Sequence, residues 1–555
     1  MRRAIAVPVL VFLCLSLPGL RDLSVWDDEA AVVEYGKGSF DDILHRGDRI
    51  IPPLYFILIR GVRAITEDEV VLRLPAVLAA AAAIPLAAAI AARLAGPAAA
   101  FPAAWLAALS PLLLLYGREI RMYPLALLLG ASATLLFRSA WIDRRGAAWP
   151  AYAAACALGL LTHQAFGLIP LGLFLFALTD REAGGLRITD CGLRINNWVP
   201  SAAVNPQSAI RNPKWSASPW ACWLIAHLLV FLFLAPFAGP LLERSITAWK
   251  EHLAGSLQVP ARDGAAARIL YPVYTMILGE TLLPWRWGLT VPAGAAALLL
   301  AAAGFRSMRA SLPRAGSRGS PRGLRMILCL LVPGLILVGL SARPLGRYTF
   351  LLLPALWTLL AAGWASLGEG PPTSWGRLAR IFVLCALGPP LAISLLNVHA
   401  GQDHHFPARL EPSREVARIV RENWKNGDIA VFSPPNPVFF HYYWPPSWCG
   451  VPRSGETASA PAAGSRPRPC SEFPTGDPDT AGRVWLVERS HTSRREYAAR
   501  LADVEAFRSR EDAARPRLGD WRFAPDESAD AKAAWVDRPF TRERVRVTLW
   551  GTRRR

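Results

Sequence analysis

Charge is scarce in this sequence. Only 19% of its 555 residues are Asp, Glu, Lys or Arg, 53% are hydrophobic, and the mean hydropathy is +0.26. Apolar residues so numerous and so blocked exceed what one soluble core buries, and a membrane is their natural solvent. Zinc patterns such as paired CxxC are missing: Cys14, Cys156, Cys222, Cys329 and Cys385 lie in apolar blocks, Cys191 in a polar stretch, and only Cys449 and Cys470 in the polar C-terminal region. No basic stripe is interleaved with stacking aromatics, so the formal net charge of +19 does not point to nucleic acid. Basic loops beside anionic lipid account for it better. No small-x-small cleavage site stands before Arg21, so Met1-Arg2-Arg3 and the apolar run to Leu20 read as an uncleaved first helix rather than a signal peptide.

What is present is a succession of apolar blocks near the length of a bilayer crossing: 4–20, 71–92, 96–116, 122–141, 148–162, 164–179, 219–240, 289–305, 325–341, 349–366 and 378–397. They predict a polytopic α-helical membrane protein with about eleven transmembrane helices. With the N-terminus inside, the cytoplasmic loops receive Arg93, then Arg138, Arg144 and Arg145, then the Arg306 to Arg325 stretch, then Arg377 and Arg380. That is the expected positive-inside bias. The short amphipathic Pro52 to Ile65 segment, with Arg60 and Arg63, is assigned to the interface within an outer loop spanning 21–70.

The transmembrane domain is expected over 1–397. Within it, residues 180–217 are polar, contain the near-repeat GLRITDC/GLRINNW and read as a disordered cytoplasmic insertion. Residues 398–555 are expected to form a small α/β domain. A helix-like run from Glu411 to Trp424 precedes a strand at Asp428 to Ser433, and a second strand at Arg483 to Glu488 precedes a helical stretch from Ser493 to Val504. An odd number of spans puts this domain in the periplasm of a bacterial inner-membrane protein, where a Cys449–Cys470 disulfide is permitted.

The same topology gathers polar residues at the outer face: WDDEA at 26–30, Arg73, the YGREIRMYPL cluster at 116–125, His163, and Arg347-Tyr348. Ionisable groups collected at one end of apolar helices mark a functional site. An acidic pair beside cations allows a carboxylate to take a proton from an acceptor hydroxyl while arginines hold a phosphate leaving group. That is the equipment of group transfer.

Over roughly residues 20–180 the chain resembles glycosyltransferase family 39, the protein O-mannosyltransferase and aminoarabinose-transferase type, with its C-type membrane fold. The resemblance rests on WDDEA, PPLYFILIRG, RLPAVL, SPLLLLYGREIRMYPL and LLTHQAFG, joined later by RYTFLLLPAL and SREVARIVRENWKNGDIAVFSPP. It implies an inverting transfer from a polyprenyl-phosphate-linked sugar to an acceptor protein, lipid A or polysaccharide. Asp28 is then the general base and Glu29 orients the acceptor, while Arg73, Arg118, Glu119, Arg121, Tyr123, His163, Arg347 and Tyr348 contact substrate. The chain departs from the family where relatives often carry His before the paired prolines: here Ile50 and Ile51 stand, and His45 is further back.

Each of these residues also has a plainer reading. Asp28 and Glu29 could be a solvated loop, and Arg73 a headgroup anchor that snorkels. Arg121 and Tyr123 could belong to an interfacial belt, and His163 could be an interhelical hydrogen-bonder. A divalent metal ion could be shared by the acidic pair and His163, although no ligand spacing demands one. Two other functional classes compete. A lipid or sugar transporter or flippase would show ionisable pairs at mid-membrane and repeated halves, and neither is visible. An inactive scaffold would keep the fold without the chemistry.

Overall fold

The computed structural model describes residues 2–22, 24–45, 52–180, 218–235, 237, 239, 265–310, 321–340, 346–368, 374–399, 413–425, 428–433, 483–489, 506–509, 511–523 and 545–550. Six helices among them are long and apolar enough to cross a membrane: Glu69–Leu94, Tyr123–Trp141, Trp287–Ala310, Pro321–Gly339, Arg347–Ser366 and Trp375–His399. The pair Pro97–Ala108 and Pro111–Gly117, bent by 53°, makes a seventh if counted as one span. Shorter apolar helices occupy Ala4–Ser16, Ala148–Thr162, Gln164–Thr179, Pro219–Ala235 and Arg268–Leu278. The protein is a multi-pass helical membrane protein.

The apolar blocks read from the sequence all reappear, the bent pair among them. The Arg268–Leu278 helix has no counterpart among those blocks. It is the apolar part of a helix of only 14 residues, Ala265–Leu278, and contains Pro272 and two tyrosines, so it carries no span-length signal. The interfacial segment forms the helix Leu54–Arg63, with Tyr55, Phe56 and Ile59 buried and Arg60 exposed. Its ten residues reach only about 15 Å, half of a ~30 Å hydrocarbon core.

The chain falls into two compact units. One comprises 1–18, 41–58 and 71–400; the other comprises 19–40, 59–70 and 401–555. Within the first, polar contacts separate the two ends of the helical bundle. At one end Arg93 donates to Ser139 Oγ at 2.8 Å and Arg138 pairs with Asp143 at 2.6 Å. At the same end Asp180, whose side chain is wholly buried, is held by Arg322 at 2.5 Å, Arg325 at 3.5 Å and the indole N–H of Trp141 at 2.9 Å. At the other end Arg118 meets the carbonyls of Pro18 and Val398, Thr281 meets Ser394, and Tyr116 meets Glu280. Helix after helix therefore starts at the end where its predecessor finished.

Between the ends the helices meet through small residues. Trp287–Ala310 crosses Leu353–Ser366 so closely that a Cβ on Gly363 would stand 1.9 Å from the Leu300 carbonyl oxygen, and one on Gly304 2.2 Å from that of Leu359. Such backbone contact replaces hydrophobic driving force, which lipid does not supply between helices. Leu278, Ala293, Ala296, Leu300, Leu360 and Val383 form the adjoining core.

The second unit contains a four-stranded sheet of order β1-β2-β4-β3, made of β1 (Ile429–Ser433), β2 (Val484–Arg489), β3 (Arg517–Phe523) and β4 (Val545–Trp550). β1 and β2 run parallel; β4 pairs antiparallel with β2 and β3. Asp428 at the start of β1 accepts bonds from Arg483 at 2.6 Å and from the Trp485 indole at 2.9 Å, fixing β1 beside β2. Val484, Leu486, Phe507 and Trp550 form a core on one face. The helix expected at 411–424 appears as Ser413–Asn423. The 180–217 insertion beyond Asp180, the Cys449–Cys470 pairing, the 493–504 helix, Ile50, Ile51 and the His45 side chain lie outside the described residues.

The helix crossing gives a direct test. Gly363→Ala should lower thermal stability in detergent by about 1–3 kcal/mol, since the carbonyl it strikes belongs to a rigid helix. Gly294→Ala, where a Cβ meets nothing within 4 Å, should leave the melting temperature unchanged or raise it.

Candidate active site

The sequence from Ser110 to Tyr123 builds the polar end of the membrane unit. Ser110 caps the Pro111–Gly117 helix by accepting from Leu113 N at 3.3 Å, and Pro111 suits the first helical turn. The next helix starts only at Tyr123, with Pro124 again near its N-terminus. Arg118 to Met122 are thus confined to a turn between two apolar helices. Although charged, Arg118, Glu119 and Arg121 are each at most 6% exposed.

Their surroundings are specific. Arg118 donates to the Pro18 carbonyl at 3.1 Å and to the Val398 carbonyl at 3.5 Å, so the first and last helices of the unit end on it. Arg121 donates to the Tyr123 hydroxyl at 3.0 Å, and its guanidinium carbon lies 5.3 Å from the centre of that ring. The Tyr123 ring packs edge-on against Tyr116 at 5.0 Å and lies tilted against His163 at 5.4 Å. Phe350 closes on Tyr116 at 5.6 Å. Arg347 lies over the neighbouring Tyr348 ring at 5.5 Å. Residues from three separate chain segments, 116–123, 163 and 347–350, therefore converge on one cluster.

His163 ends the Ala148–Thr162 helix and caps the following turn, where its Nδ1 accepts from Ala165 N at 3.0 Å. That bond leaves the ring proton on Nε2. Burial, followed by the positive charges of Arg121 and Arg347, pushes the imidazole down to about 3. The same two arginines must then lie near the ring, and His163 stays neutral at physiological pH.

Arg73, 2% exposed on the Glu69–Leu94 helix, is covered by protein, which argues against a snorkelling anchor. Glu280, 3% exposed, accepts from the Tyr116 hydroxyl at 3.1 Å. The sequence reading did not single it out. It follows the unexpected Arg268–Leu278 helix, and a lone Glu in GETLLPW carries little signal.

Asp28 and Glu29 belong to the other unit, on the helix Asp27–Tyr35. The two differ. Glu29 is 1% exposed, and its Oε2 accepts from the backbone N of Trp26 at 3.4 Å, the return bond of a capping box. Asp28 is half-buried. Adjacent carboxylates thus differ: one holds the helix N-terminus and the other is partly accessible. Among the described residues no three His, Cys, Asp or Glu side chains come together in a way that could hold a metal ion.

Residues 51–189, about a quarter of the chain, match a family model described as dolichyl-phosphate-mannose-protein mannosyltransferase. Among curated proteins none matches the chain in sequence. In structure the chain is similar to ArnT from Cupriavidus metallidurans in the apo state, at 14% identity and a TM-score of 0.51 over 98% of this chain and 97% of that one. The same ArnT bound to undecaprenyl phosphate gives 13% identity and 0.49 over the same shares. The Archaeoglobus fulgidus oligosaccharyltransferase complexed with Zn and sulfate gives 13% and 0.47, over 79% of this chain and 61% of its own.

The depressed His163 pKa sets a sign. Because the folded state resists protonation while an unfolded imidazole titrates near ~6.5, the wild type should lose stability relative to His163→Gln as pH falls from about 6.5 toward 3. Above pH 7 the difference between their melting temperatures should be constant. A difference that does not change with pH would contradict the buried neutral ring.

Proposed function

We propose that this chain, which has the fold of the C-type glycosyltransferases, moves a sugar from a polyprenyl-phosphate carrier to an acceptor hydroxyl, with inversion at the anomeric carbon, at the outer face of the inner membrane. One observation carries the reading: three arginines, Arg118, Arg121 and Arg347, stand with Tyr123 and a neutral His163 at one end of an otherwise apolar helical unit. The family model covers two of these arginines, and its description names a polyprenyl-phosphate sugar as donor. ArnT, whose fold the chain shares, has been solved with undecaprenyl phosphate bound.

The chemistry follows from charge. As the anomeric C–O bond breaks, its electron pair leaves on the phosphate oxygen. Fixed guanidinium groups in a water-poor setting stabilise that developing charge without reorganising. His163, with its proton on Nε2, offers a further donor to a phosphate or sugar oxygen. Asp28 takes the proton from the acceptor hydroxyl as its oxygen attacks the anomeric carbon from the opposite side. Arg73 adds positive charge from its buried position. Glu29 keeps the helix that carries Asp28 in register. Sugar and acceptor identity rest on the shape of the sites that receive them, with protein, lipid A and polysaccharide as the acceptor classes.

The test uses the full chain in lipid nanodiscs with a panel of labelled polyprenyl-phosphate sugars and, as acceptors, a protein, lipid A and a polysaccharide. Wild type should release polyprenyl phosphate from at least one donor. Asp28→Asn should lower kcat by about 10²–10⁴-fold while remaining folded, and Arg121→Gln should raise the donor KM. Absence of release from every donor would overturn the reading in favour of a transporter or an inactive scaffold.

A further inference from the structure

Arg414 lies in a stretch of sequence with no obvious chemistry, at the start of the Ser413–Asn423 helix of the second unit. Its interactions are unlike those of its neighbours. Arg418, one turn on, pairs only along its own helix with Glu415 and Glu422, and is half exposed. Arg414 instead reaches residues more than 340 positions away. Its Nε donates to Glu69 Oε1 at 3.2 Å and its Nη2 to Glu69 Oε2, a two-pronged fit that a guanidinium makes and an ammonium does not. Its Nη1 donates to the Arg21 carbonyl at 2.5 Å, and its backbone N to Ser24 Oγ at 3.2 Å. Arg21 in turn pairs with Asp68, whose carboxylate caps the helix opening at Glu69 by accepting from Val70 N at 2.9 Å.

We infer that Arg414 is a positioning residue for the proposed base: it clamps the Arg21 to Ser24 segment against Glu69 and so holds the short strap from which the Asp28 helix begins. Ser24, where the clamped segment ends, and Val25 and Trp26, which follow it, are buried, and Glu29 locks the helix to Trp26. Three residues separate Ser24 from Asp28, so slack at the clamp passes directly to the carboxylate. A base misplaced by about 1 Å loses rate on the order of 10²-fold, whereas donor affinity, which rests on the arginine cluster, is unaffected. The inference depends on the reading of Asp28 as base for its kinetic half only.

The experiment compares Arg414→Gln, Arg414→Lys, the swap Arg414→Glu with Glu69→Arg, and Arg418→Gln as the control that loses only exposed ion pairs. Hydrogen exchange of peptides covering 21–35 should accelerate at least tenfold in Arg414→Gln and less in Arg414→Lys. It should recover in part in the swap and match wild type in Arg418→Gln. In turnover, Arg414→Gln should lower kcat at least tenfold with the donor KM within twofold. Unchanged exchange over 21–35 overturns the clamp whatever the activity, and a loss carried wholly by donor KM overturns its positioning role. A wild type without turnover, combined with accelerated exchange in Arg414→Gln, upholds the clamp and overturns the glycosyl-transfer reading instead.

Discussion

A guanidinium inside a helical bundle is tolerable only where oxygen lone pairs or an aromatic face stand against it, and the polar end of the membrane unit is arranged around that demand. Arg118 draws the carbonyls at the ends of the first and last helices toward one point, linking Pro18 with Val398. Arg121 uses the hydroxyl and the ring of Tyr123. The carbonyls accept from Arg118 and the phenol from Arg121. The bend between Ala108 and Pro111 and the short helix that follows deliver the two arginines to where such partners exist.

The opposite end solves the reverse problem. There the buried ion is a carboxylate, Asp180, and its partners Arg322 and Arg325 are charged. A carboxylate held by two arginines is a structural joint between helices. That end fastens helices, while under the proposed function the other receives a phosphate.

How much of this could be read from sequence depends on the length of the signal. Apolar blocks near bilayer length announced the spans, because hydrocarbon thickness leaves few alternatives. The turn at 118–123 stood out because three ionisable residues interrupted such blocks. The Arg268–Leu278 helix was illegible because it is too short to span. Glu280 was hidden for the same reason, since its burial depends on that helix and on Tyr116, more than 160 residues away. The asymmetry between Asp28 and Glu29 was also illegible, as it arises from one side chain folding back on its own helix. β1 and β2 carried strand signals in IAVFS and VWLVER, while RLGDWRF in β3 mixes charge and glycine and did not. Arg414 was unremarkable among the arginines of its helix until its partners were known.

The hydrogen bond from Ala165 to Nδ1 of His163 limits what that ring can say to a ligand. With one nitrogen engaged by the backbone and the other carrying the proton, the imidazole speaks in one direction only: it gives a hydrogen bond and has no lone pair left to receive one. Under the proposed function it would therefore sort the atoms placed before it. Ester, ether and phosphate oxygens are welcome there, while a group that can only donate, such as an ammonium, is turned away by the ring before the nearby arginines repel it.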